Sequence, residues 1–71
     1  MIWFFERGGQ YLRCEIRREM EGSGYELVVT RPDGSEQVER FGDSATLTRR
    51  QLELETSLMT DGWTGPHGRV L

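Results

Sequence analysis

Apolar and polar residues alternate along the N-terminal part of the chain, and turn residues break the alternation at even intervals. The breaks are Gly8-Gly9, Gly22-Ser23-Gly24 and Pro32-Asp33-Gly34. Period-two alternation between such breaks is the mark of strands joined by hairpins. It predicts strands over about 1–7, 10–20, 25–31 and 36–41.

The register follows from the turns. A two-residue loop at Gly8-Gly9 suits glycine, because both positions of a type I′ turn need positive φ. Arg7 then opposes Gln10, Phe5 opposes Leu12, Trp3 opposes Cys14 and Met1 opposes Ile16, with every apolar member on one face. Glu6 faces Tyr11, Phe4 faces Arg13 and Ile2 faces Glu15 on the other. A slip of one residue would scramble that separation. A loop over Glu21 to Gly24 places Ile16 opposite Val29 and Met20 opposite Tyr25, and leaves Glu19 facing Glu26. A two-residue turn at Asp33-Gly34 sets Val29 against Val38 and Arg31 against Glu36. Arg18 and Arg40 then point to the rim of the core face with their stems buried.

Beyond residue 42 the period changes to that of a helix, predicted over about 44–60. Asp43 or Ser44 is the N-cap, since its side-chain oxygen accepts from a free amide of the first turn. Gly62 suits the position after the last turn. Leu47, Leu54 and Leu58 form one stripe, while Ala45, Leu52, Met59 and Trp63 form a second, roughly 140° away. Arg49, Arg50, Glu53, Ser57 and Asp61 take the solvent face. Either one broad face is buried, with Thr48 and Glu55 between the stripes, or the second stripe belongs to a second subunit. Residues 64–71 read as a loose tail. The fold class is α+β: a four-stranded antiparallel meander (ββββα) with one C-terminal helix packed on one face. Its expected core is Trp3, Phe5, Leu12, Cys14, Ile16, Leu27, Val29, Val38, Leu47, Leu54 and Leu58.

The chain has 71 residues, enough for a single small domain. Apolar residues at 35% and charged residues at 30%, mixed in sign, indicate a folded and soluble protein. The apolar start Met1 to Phe5 is too short for a signal peptide or a membrane span and lacks a basic flank. The single Cys14 has no internal disulfide partner, which agrees with a reducing compartment, and a cytoplasmic location is expected. A net charge of −3 disfavours duplex nucleic acid and anionic membranes as partners. All nine basic residues are Arg, which a GC-rich genome explains without function. The chain resembles short bacterial open reading frames, a likeness that implies no activity.

Little in the sequence carries chemistry. Gly8-Gly9-Gln10 resembles the tripeptide with which class I translation release factors position water, but it lacks their long basic flanks and lies between two strands. Cys14 points into the core, where a thiol is a small hydrophobe. His67 has no companion ligand at metal-binding spacing. Glu15, Glu19, Glu26 and Glu39 belong to a solvated outer face among Arg13 and Arg17, without the cleft that paired catalytic acids need. Gly42 opens no phosphate loop, because Asp43 follows it. No catalytic residue, metal site or cofactor is therefore assigned, and an enzyme is not expected.

The function expected from these features is a non-enzymatic, self-associating protein-interaction or accessory module. A chain this short is marginal alone and gains from oligomerisation. Strand 1, at the edge of the meander, exposes Ile2 and Phe4, and unprotected edges pair. The candidate interface is Ile2, Phe4, Leu52, Met59 and Trp63, and the partner is a second copy or another protein. The alternative is single-stranded nucleic-acid binding by the outer face through Phe4, Tyr11, Arg13 and Arg17. In its order of elements alone the chain is similar to small dimeric single-strand binders of the coactivator and Whirly type. A third option is a small-molecule pocket between helix and sheet.

Overall fold

The computed structural model describes residues 1–70, the last two by their backbone alone. It is a small α+β fold in which one helix packs on an antiparallel sheet. Strands β1 (Ile2–Arg7), β2 (Gln10–Arg18), β3 (Tyr25–Thr30) and β4 (Glu36–Phe41) precede helix α1 (Ser44–Thr60), and a fifth strand, β5 (Thr64–Val70), follows it. The sheet order is β4-β3-β2-β1-β5. No helix among the described residues is long and apolar enough to cross a membrane.

The first hairpin has the expected register, from Arg7↔Gln10 to Ile2↔Glu15. Gly8 and Gly9 adopt φ of 58° and 81°, the left-handed pair that a type I′ turn demands. The second hairpin is shifted by two residues: Ile16 opposes Leu27 and Arg18 opposes Tyr25. An even shift leaves every side chain on its face. It also removes the Glu19–Glu26 clash, since Glu26 now lies between Arg17 on β2 and Arg40 on β4.

The third hairpin differs by one residue, and there the faces change. Val38 opposes Val28, and Thr30 opposes Glu36. A two-residue loop at Asp33-Gly34 would need Pro32 to bond Ser35, and proline has no N–H to give. Arg31 donates to the Ser35 carbonyl instead, at 2.9 Å, and Gly34 donates to the Arg31 carbonyl, at 2.9 Å. Pro32 thus occupies the first central position of a type I turn, followed by Gly34 at φ 89°. The odd shift turns Val38 out of the core, leaving it 44% exposed. It brings Gln37, Glu39 and Phe41 to the helix side, and Arg40 joins Val38 on the outer face.

The helix limits match expectation. Asp43 is the N-cap, accepting from the Thr46 amide at 2.8 Å. At the other end Gly62 (φ 90°) donates to the Met59 carbonyl and Trp63 donates to the Leu58 carbonyl. This is a Schellman reversal, whose outer residue packs back on the third-last helical residue. Trp63 therefore leaves the wheel on which it was placed beside Leu52 and Met59. It enters the core with 7% exposure.

The segment expected to be a loose tail is β5, which pairs with β1 along Ile2↔Val70, Phe4↔His67 and Glu6↔Thr64 with irregularities between. Leu71 lies outside the described residues. Strand β1 is thus an interior strand, and the free edges belong to β4 and β5. The core joins Trp3, Phe5, Leu12, Cys14, Leu27 and Val29 to Leu47 and Trp63, with Ile16, Leu54 and Leu58 packed against it.

Candidate functional site

A single helix about 10 Å wide cannot roof five strands spaced about 4.8 Å apart. The uncovered part of the core face is a groove of about 470 Å³ at the end of the sheet that carries the Gly8-Gly9 and Pro32-Gly34 turns. Leu12, Val29, Leu54, Leu58 and Trp63 give it an apolar lining. The charged groups of its rim are each bonded within the fold. Arg7 donates from Nη1 to the Asp61 carbonyl and to Asp61 Oδ2, each at 2.9 Å, and lies over the Trp63 ring with its guanidinium carbon 4.5 Å from the centroid. Arg50 donates from Nε to Glu39 Oε1 at 2.9 Å, and that bond raises the Arg50 pKa. Arg31 donates to Gln37 Oε1 at 2.9 Å. Asp33 accepts from the Ser35 amide at 2.8 Å, and its bonds with Ser35 lower its pKa. Glu39 and Gln37 reach this rim only because β4 is turned over by the Pro32 loop.

The groove was not located from the sequence beyond the general option of a pocket between helix and sheet. Two signals pointed to it. Pro32 rules out the two-residue turn, and a tryptophan directly after Gly62 is the apolar partner that a Schellman reversal folds back.

On its far side the helix presents Ala45, Leu52 and Met59 one above another at spacings of seven. Leu52 is 60% exposed and Met59 53%. These two remain from the candidate interface as an uncovered helical stripe. The other members lie elsewhere. Trp63 is inside the core, while Ile2 and Phe4 are half-buried on the opposite face of the sheet, on an interior strand. The set does not form one surface.

The outer face carries Phe4, Tyr11, Arg13 and Arg17, as the register required. Tyr11 is exposed and Phe4 half-buried beside His67 of β5. Both arginines converge on one carboxylate. Arg13 is 3.2 Å from Glu15 Oε1 and Arg17 3.6 Å from the same atom. Val28, at 0% exposure, lies between Glu15 and Val38 on this face. Compared with known proteins, the chain matches no family model, no curated protein and no solved structure.

The remaining reactive side chains are placed as follows. Cys14 is buried between Trp3 and Val29 of the flanking strands. His67 is exposed on β5. Among the described residues no group of three or more His, Cys, Asp or Glu side chains is placed to hold a metal ion. Gly8-Gly9-Gln10 is the hairpin turn and the first residue of β2.

Proposed function

We propose that this protein is a non-enzymatic, self-associating interaction module that binds a partner protein through the outer stripe of α1. The observation that carries the proposal is the exposure of Leu52 and Met59 on the side of the helix turned away from the core. Paired large apolar side chains on one rigid helix, rimmed by Arg49 and Glu53, have the form of a helix-borne binding surface. The groove is a poorer candidate, because the Arg7–Asp61 and Arg50–Glu39 pairs on its rim already satisfy one another.

The test is affinity capture from a lysate of the source organism, comparing unmodified protein with a Leu52→Glu, Met59→Glu variant. Both positions are exposed, so the variant keeps its far-UV spectrum and melting temperature. A partner retained by the unmodified protein and lost by the variant supports the proposal. An identical set of captured proteins for the two refutes it.

A further inference from the structure

Between the two free edges of the sheet, β4 is the better template for another strand. β5 is interrupted by register irregularities, by Gly65 and Gly68, and by Pro66, which has no N–H. β4 is regular, paired with β3 at every residue from Glu36 to Phe41.

The direction of its free backbone groups follows from the turn. The bond from Arg31 N–H to the Ser35 carbonyl makes that pair a hydrogen-bonded one. Alternation then makes Gln37, Glu39 and Phe41 bond inward to β3, while Glu36, Val38 and Arg40 turn their N–H and C=O groups outward. The side chains of these same three residues lie on the outer face, with charge −, 0, + along the strand.

That order is self-complementary. We propose that two copies of the chain pair through β4, antiparallel and centred on Val38, so that Val38 meets Val38 and each Glu36 meets the other copy's Arg40. Outward N–H and C=O groups coincide in this register. Centring on Gln37 or Glu39 sets a charge against Val38, and parallel pairing sets like charges side by side. Val38 covers its own exposed side chain, and the buried Val28 beside it extends the apolar strip across the junction. Arg40, already 3.0 Å from Glu26, is then held between two carboxylates. On the helix side Gln37 opposes the second copy's Glu39. The twofold axis stands perpendicular to the joined sheet, so both helices lie on one side and present both stripes together, a bivalent arrangement.

This inference rests on the self-associating part of the proposed function and is independent of stripe binding. Its test is sedimentation of the full chain with charge reversals at the two ends of β4. The unmodified protein sediments as a dimer at high micromolar concentration. Glu36→Arg alone and Arg40→Glu alone each replace two attractive pairs by two repulsive ones, and weaken the dimer at least about tenfold. An equimolar mixture of the two variants restores opposite charges at both ends and forms a heterodimer. Oxidised Val38→Cys protein provides a second measurement free of charge effects. Cα atoms of such a pair stand about 5.5 Å apart, within disulfide reach. Val38→Cys therefore cross-links, and Leu52→Cys does not. Monomeric unmodified protein, a mixture that stays monomeric, or cross-linking at Leu52 in place of Val38 overturns the inference. Each of these results leaves stripe-dependent capture of a partner standing as a separate question.

Discussion

Gly65 is the position where one methyl group tests whether the C-terminal segment belongs to the fold. It sits in β5 against β1 with φ 151°, a conformation that disfavours any L side chain. A Cβ built there would lie 2.7 Å from Phe5 Cδ1 and 2.9 Å from the Phe4 carbonyl oxygen. Neither neighbour can yield easily. Phe5 is fully buried in the core, and the Phe4 oxygen is sheet backbone. Gly65→Ala therefore combines backbone strain of about 1–3 kcal/mol with a packing clash of about 1–3 kcal/mol. The lower entropy of the unfolded alanine chain offsets about 0.4–1 kcal/mol of this. A net loss of about 1–6 kcal/mol remains from the same three terms. For 71 residues, total stability on the order of 0.05–0.15 kcal/mol per residue makes that a large share. Gly34→Ala is the control. Its φ is also positive, at 89°, but nothing lies within 4 Å of the added carbon, so it carries the strain without the clash. Urea unfolding followed by the fluorescence of Trp3 and Trp63, both buried, measures the two losses. If Gly65→Ala is no more destabilised than Gly34→Ala, the close packing of β5 on Phe5 is wrong.

Trp63→Ala removes the side chain that closes the core behind the Schellman reversal and costs about 3–5 kcal/mol, measured by the same unfolding curves; a near-neutral result would return Trp63 to the surface. Asp43→Ala lowers the melting temperature by removing the N-cap bond to Thr46. Because hydrogen bonds with Thr46 hold the folded pKa of Asp43 below its ordinary value, this stability is present above the unfolded pKa and fades as pH falls through the folded one. The gap between variant and unmodified protein therefore narrows on acidification, and a gap that stays constant contradicts the capping role. Labelled single-stranded oligonucleotide at low salt shows no anisotropy change with the unmodified protein, since Arg13 and Arg17 already share Glu15. A salt-sensitive rise that disappears in an Arg13→Glu, Arg17→Glu variant would establish the nucleic-acid alternative.

Local chemistry settled what the sequence alone determined. The type I′ hairpin follows from two adjacent glycines flanked by alternating apolar residues. The helix limits follow from a capping aspartate and a terminating glycine, and the α+β class from the change of period after residue 42. Each depends on neighbours in sequence, so each was legible there. Tertiary structure decided the rest. The two-residue shift of β3 leaves all faces unchanged, so the apolar pattern could not exclude it; cross-strand charge pairing around Glu26 favours it. The turning of β4 depends on one missing N–H at Pro32, outweighing the apparent match of Val29 with Val38. The place of β5 was hidden because its Thr-Gly-Pro-His-Gly composition reads as coil. It is a strand because β1 offers an unfilled edge and Gly65 is small enough to approach Phe5. That pairing covers the edge on which strand 1 was expected to dimerise, and the free regular edge passes to β4.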